Sequence, residues 1–287
     1  MKRFILICFL IFGLSSSVSA ISLIGSGIIA SEGATDYTAD ANCQGAWFMA
    51  GNGSDNETEP DHSGNDYHLA EKATKELAVV SGAGNVPAGY SGSSRDFEAS
   101  NYDELLIVST DSNAPGLDIS GADQDMAICA WIKAENVANG GNYTIASKYS
   151  DSGNEQCWLH INGTGDTTYR VVFHISIDGS TDVVATGATT NLAEGAWHHI
   201  CGQYDDDNGS NQNLQVWVNG SMDGSTSHTA GIYNGTSDFD VGDCADGTGN
   251  EYDGLIDELI VFDRSLSSAE INEIMDSGID GSNGAND

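Results

Sequence analysis

Four groupings of residues in this chain carry side chains able to do chemistry: the pair His198-His199, the run Asp205-Asp206-Asp207-Asn208-Gly209, the acids at Asp103-Glu104 and Asp257-Glu258, and six cysteines. Adjacent residues on a strand point to opposite faces, so His198 and His199 do not ligate one ion together. The aspartate run resembles a calcium loop but lacks the D-x-D-x-D-G register and the distal bidentate Glu, and reads as a solvated hairpin loop. A retaining glycosidase holds two carboxyl groups about 5 Å apart, the spacing that an E-x-D-x-E strand supplies on one face. Neither Tyr102-Asp103-Glu104-Leu105 nor Ile256-Asp257-Glu258 has that alternation. H-E-x-x-H, G-x-S-x-G and phosphate-loop patterns are absent, so no catalytic set is visible and no enzyme is expected. No two cysteines stand at C-x-x-C spacing, which argues against a structural zinc site or a thioredoxin-like redox pair.

The charge narrows the partners. With 43 Asp+Glu against 9 Lys+Arg in 287 residues the formal charge is −34, and binding to phosphate backbones depends on Lys and Arg displacing condensed counterions. No nucleic acid partner is expected, and an anionic membrane surface is disfavoured for the same reason. Lys2 and Arg3 precede an apolar run from Phe4 to Leu14 and the small residues Ser17-Val18-Ser19-Ala20. That order reads as a cleaved export signal over residues 1–20, because the run is too short to span a bilayer. The expected product is secreted and extracellular, with no membrane span after cleavage. Loss of two basic residues and no acid leaves 7 Lys+Arg against 43 Asp+Glu, a charge of −36. Cys8 departs with the signal, leaving Cys43, Cys129, Cys157, Cys201 and Cys244 in an oxidising compartment. Five is odd, so at least one thiol is free or pairs with another chain.

The elements that must position these groups are strands. Asn-Gly and Asp-Gly dipeptides occur twelve times, and both central positions of a type I′ hairpin turn need positive φ, which Asn, Asp and Gly tolerate best. Between the turns the chain alternates: Val171, Phe173, Ile175 and Ile177 fall on one face, Arg170, His174 and Ser176 on the other. Strands are expected at 103–108, 126–133, 143–148, 157–161, 169–177, 183–185, 197–204, 214–218 and 255–262. One helix is expected, Ser267 to Met275, capped by Ser267 or Ser268 with Glu270 in its first turn. The pattern predicts an all-β, two-sheet antiparallel sandwich with one short C-terminal helix. Residues 21–40 read as an N-terminal extension, 41–278 as the sandwich and 279–287 as a flexible tail.

Several segments resemble, in order and spacing from 43 to 275, the concanavalin A-like jelly rolls of the laminin G-like and pentraxin-like branch. They are Ala46-Trp47-Phe48-Met49 followed by Asp61-His62-Ser63-Gly64-Asn65, then Ala127-Ile128-Cys129-Ala130-Trp131-Ile132-Lys133, then Trp197-His198-His199-Ile200. Gln215-Val216-Trp217-Val218-Asn219-Gly220, Gly254-Leu255-Ile256-Asp257-Glu258 and Arg264-Ser265-Leu266-Ser267 complete the set. The resemblance implies a jelly roll and, as in pentraxins, a disulfide between Cys129 and Cys201. The sequence leaves the pairing of Cys43, Cys157 and Cys244 open; because first and last strands are neighbours in this fold, Cys43–Cys244 is the candidate bridge. The resemblance also implies a structural Ca²⁺, at Asp257 with Asp61 as companion, or on a ligand face at Asn154, Asp243 and Asp246. Gly153, Cys244 and Ala245 depart from the oxygen donors expected at that face.

Two function classes follow. One is a non-catalytic recognition module, calcium-stabilised, that binds carbohydrate or an extracellular protein; an exposed ring among Trp158, Tyr169, Trp217 and Tyr233 would stack on a sugar, and the sequence does not say which is exposed. The other is a structural subunit of an extracellular surface layer, appendage or virion. There the apolar stretch Ile21 to Ala30 and the odd cysteine would join copies into a homo-oligomer.

Overall fold

The computed structural model describes residues 22–24, 27–29, 33–51, 58–72, 77–107, 114–150, 153–208, 213–244 and 249–285, so the expected export signal lies outside the described residues. The chain divides into two units, residues 1–33 and 34–287. In the first, β1 (Ser22–Ile24) and β2 (Gly27–Ile29) form an antiparallel hairpin.

The second unit is the sandwich. Its strands are β3 (Cys43–Trp47), β4 (Thr58–Glu59), β5 (Leu69–Glu71), β6 (Ala78–Ser81), β7 (Ser93–Phe97), β8 (Leu105–Ile107), β9 (Met126–Ala134) and β10 (Asn142–Lys148). They continue with β11 (Cys157–Gly165), β12 (Thr168–Ser176), β13 (Asp182–Thr186), β14 (Leu192–Ala193), β15 (His198–Tyr204) and β16 (Leu214–Val218). Last come β17 (Ser221–Thr226), β18 (Phe239–Val241), β19 (Gly254–Phe262) and the helix α1 (Ser268–Ser277). Among the described residues one sheet runs β13-β12-β11-β10-β18-β8-β5-β4 with β14 on β12, and the other β17-β16-β15-β9-β19-β7-β6 with β3 on β19. All these pairings are antiparallel, and the expected two-sheet jelly roll is present.

Alternation builds the core. Tyr169, Val171, Phe173 and Ile175 of β12 point inward with Leu159 and Ile161 of β11, and meet Ile128, Ile132, Ile200, Val216 and Val261 of the facing sheet. Ile177 lies beyond the end of β12, where its N–H turns back to the Thr181 carbonyl, and it is exposed. In the second sheet the central strand β19 is buried on both faces, with all nine of its residues buried. The outer face of this sheet carries a second apolar cluster in which Ala127, Cys129, Cys201, Ile260 and Phe262 pack under Leu266, Ile271 and Ile274. The helix therefore covers a sheet face. Its start is fixed by a capping box, with Ser267 Oγ accepting from Glu270 N and Glu270 Oε2 accepting from Ser267 N.

Cys129 and Cys201 stand directly opposite in β9 and β15, with Cα atoms 4.1 Å apart, and form the expected disulfide. Cys43 and Cys244 do not pair, which corrects that expectation. Cys43 lies opposite Phe262, whereas Gly242, two residues before Cys244, meets Tyr252 near the other end of β19. Nine strand residues separate those ends by roughly 27 Å, far beyond the reach of a disulfide. Cys43, Cys157 and Cys244 are all buried thiols, so the odd cysteine is not placed to join copies of the folded chain.

The expected ends also move inward. Tyr37 is 3% exposed, its ring meets Phe262 edge-on, and its N–H donates to the Ile279 carbonyl. Ile279 is itself buried in the outer cluster and donates to Glu258 Oε2 at 2.6 Å. Residues 34–40 and 279–285 thus belong to the packed unit, because each carries an isoleucine or aromatic group that completes the layer over the eight-stranded sheet.

Candidate functional site

Along the outer face of β9 the residues alternate, so Trp131 follows Cys129 on the same side while Ala130 and Ile132 enter the core. Trp131 pairs across the sheet with His199, whose ring lies edge-on at 5.3 Å. The last turn of α1 borders this place through Met275 and Asp276; beyond it Gly278 takes φ +80° and turns the chain away, and Asn283 N returns to donate to the Ser277 carbonyl. The remaining wall comes from the turn Pro87-Ala88-Gly89-Tyr90, closed by Tyr90 N donating to Pro87 O at 3.0 Å. Gly89 at φ +96° is the third residue, where this turn type demands positive φ. Tyr90 OH donates to the Ile274 and Met275 carbonyls at 3.1 and 3.0 Å, tying the turn to the helix end.

These elements line a half-open pocket of about 150 Å³ bordered by Ala88, Gly89, Tyr90, Trp131, Met275, Asp276 and Asn283. That is the size of an engineered cavity that accepts a single six-membered ring. Tyr90 and Trp131 are half-buried, with ring centroids 5.8 Å apart at 71°, while Asp276 is exposed at the rim. Burial, reinforced by Glu258 and Asp257, pushes the Tyr90 phenol up, so it stays a hydrogen-bond donor at neutral pH. Burial alone pulls His199 down to about 3, which keeps the imidazole behind Trp131 neutral. The arrangement offers aromatic surface and a carboxylate to a small polar ring, with the Asn283 amide N–H groups held by the Ser277 and Asp276 carbonyls, and no nucleophile–base pair.

The residues expected to bind calcium at one of two alternative places lie on separate elements. Asp257 is fully buried in β19 opposite Trp131. Asp61 lies in the loop beside β3 and organises it, accepting from Ala46 N, Ser63 N, Ser63 Oγ and Tyr67 N at 2.8 to 3.0 Å. Asn154 Oδ1 accepts from Thr236 Oγ1, Asp243 Oδ1 accepts from Cys244 N, and Asp246 lies outside the described residues. Among the described residues no group of three His, Cys, Asp or Glu side chains is arranged to hold a metal ion. All four Asp61 contacts, the Asn154 Oδ1 contact and the Asp243 Oδ1 contact are made to protein donors.

The acids at 103–104 have another role. Glu104 takes the Lys72 ammonium and faces Asp240, neither of whose oxygens accepts a hydrogen bond. Burial, then the Glu104 charge, drives the Asp240 carboxyl strongly upward, and burial brings Asp243 to about 6. Glu104 and Asp240 are each 1% exposed, closed to a solvent-borne substrate. Of the aromatic residues expected to stack on a ligand, Tyr169 is fully buried and Trp158 is 6% exposed, stacked on His160 at 4.0 Å. Trp217 packs beside the helix-side cluster, and Tyr233 sits over Gly179. Trp131 was visible as a motif residue without this role; the signal for Tyr90 was the P-A-G-Y turn in a chain with 3 prolines.

Residues 108–272 match the laminin G family described as the concanavalin A-like lectin/glucanases superfamily. The chain belongs to that superfamily. No curated protein sequence matches it. Among solved structures, this jelly roll is similar to the binding domain of Paraclostridial Mosquitocidal Protein 1, with a TM-score of 0.60 and 14% identity over 82% of this chain and 52% of that one. It is also similar to domain 4 of the extracellular GH43 arabinanase AbnA from Geobacillus stearothermophilus, solved with arabinotriose, with a TM-score of 0.55 and 16% identity over 81% of this chain and 98% of that one. A Trypanosoma rangeli sialidase matches with a TM-score of 0.55 and 12% identity over 82% of this chain and 32% of that one. The chain thus spans about half of the toxin binding domain. At these identities the likeness is one of fold, and this superfamily fold carries both binding and catalytic functions.

Proposed function

We propose that this concanavalin A-like chain is a secreted, non-catalytic module that binds carbohydrate in the cavity between Tyr90 and Trp131. The observation that carries the reading is the cavity itself: two half-buried rings, Asp276 and Asn283 around a volume suited to one sugar ring. Aromatic surface supplies apolar contact with the ring C–H groups, and the carboxylate fixes hydroxyls. The superfamily membership and the similarity to structures named as binding domains support it. A structural calcium ion is part of the proposal on charge alone, since a bound divalent cation relieves self-repulsion in a chain of −34. Thermal melts with and without a chelator read that part.

Saturation-transfer NMR against a panel of monosaccharides tests the module. Binding by the wild type, weakened at least tenfold in Trp131→Ala with the fold intact by circular dichroism, is the expected result. A folded wild type that binds no sugar overturns the reading, and light scattering of the same sample reads the assembly function: a concentration-dependent oligomer would favour it.

A further inference from the structure

The cavity has an electrostatic character that selects among sugars, and the argument rests on the cavity being the sugar site. We propose that it takes a ring bearing an ammonium group, an amino sugar, in preference to a neutral or carboxylate-bearing one. Among the described residues no Lys, Arg or His lines it, and Asp276 is exposed at its rim. Asp257 and Glu258, both buried, add an electrostatic effect that raises the Tyr90 phenol.

Among the described residues, two basic side chains on the same strands are engaged or uncharged. Lys133, next after Trp131 on the same face of β9, donates its Nζ to the Gly84 carbonyl and pairs with Glu135 at 3.9 Å. His199 behind the Trp131 ring is neutral. A cation entering the cavity therefore meets one carboxylate able to accept its N–H groups and the aromatic surface of Tyr90 and Trp131, rings that attract positive charge over their faces. An anionic sugar meets Asp276 and the field of the whole chain, both repulsive.

Titration calorimetry and saturation-transfer NMR with glucosamine, glucose, N-acetylglucosamine and glucuronate, at mildly acidic pH and low salt, test this. Glucosamine should bind about tenfold tighter than glucose or N-acetylglucosamine, whose nitrogen carries no charge, and glucuronate should not bind. Asp276→Asn should shrink the glucosamine advantage over glucose, read as the ratio of the two affinities in the same variant, to about twofold. Equal affinity for glucose and glucosamine, or a preference for glucuronate, overturns the charge selection while leaving the module standing. Absence of binding by all four overturns the module and the selection with it. Glucosamine preference unchanged in Asp276→Asn removes the assignment to this cavity.

Discussion

Two successive cross-strand pairs on one face of β9 and β15 have opposite fates. Cys129–Cys201 is sealed by a disulfide beneath Ile271 and Ile274 of α1, whereas Trp131–His199, the next outward pair, lies beside a cavity. Strands, face and pairing geometry are shared; what differs is the cover. The helix stays over the first pair and only borders the space beside the second through Met275 and Asp276 before it ends at Gly278, leaving the turn at Tyr90 to wall the rest. A sheet face becomes a core or a site according to what the chain lays across it.

The largest way to break this comparison is to cut the sealed pair. Cys129→Ala/Cys201→Ala should cost on the order of 4 kcal/mol, from the loop-closure entropy of a 72-residue separation, and urea unfolding measures it. Sugar affinity at full folding should not change, since the cavity is built by the other pair. If affinity falls too, the two pairs act as one unit.

The second test uses acid. His199 is buried with neither ring nitrogen hydrogen-bonded, and its pKa is about 3 when folded against an ordinary value of about 6.5 unfolded. The unfolded chain therefore takes the proton first as pH falls below about 6.5, so stability is lost on acidification through that window. His199→Phe should gain about 2–3 kcal/mol relative to wild type between pH 6.5 and pH 4.5. Parallel melts of the two proteins that keep a constant gap over that range would show that His199 is not held neutral.

Trp131→Ala comes next, with an expected loss of about 2 kcal/mol in sugar binding measured by calorimetry. Asp240→Asn in the other sheet supplies a buried polar group with the opposite pH dependence. Its wild-type carboxyl has a raised folded pKa, so ionisation penalises the fold above the ordinary carboxylate pKa and the penalty fades as pH falls. The variant should melt ~2–4 °C higher at pH 7, a gain of about 1 kcal/mol that shrinks toward pH 4. Smallest is Ser267→Ala, which removes one side of the capping box and should cost about 1 kcal/mol.

Much of the fold was legible because its signals are local. The run 126–133 became β9 at Met126–Ala134, 214–218 became β16 unchanged, and Ser267 and Glu270 form the box that their spacing announces. Short strands without alternation were not legible: Ser93–Phe97 reads S-S-R-D-F, and Arg95 faces inward only because Glu59 and Glu71 meet its guanidinium. The disulfide followed from a family resemblance that placed Cys129 and Cys201 on neighbouring strands. The same kind of inference failed for Cys43 and Cys244, where neighbouring strands did not imply neighbouring ends. Asp61 shows a further limit, since the carboxylate expected to hold a metal is occupied by four protein donors that no spacing announces.

The chain by itself determined the acidic charge, the turns, the two-sheet alternation and the place of the helix, because each depends on side chains a few residues apart. Only the tertiary structure decided where the helix stops over the sheet. The cavity joins residues 88–90, 131, 275–276 and 283 from four stretches of chain. Such a space is set by how layers of finite length overlap, a property that no local pattern encodes.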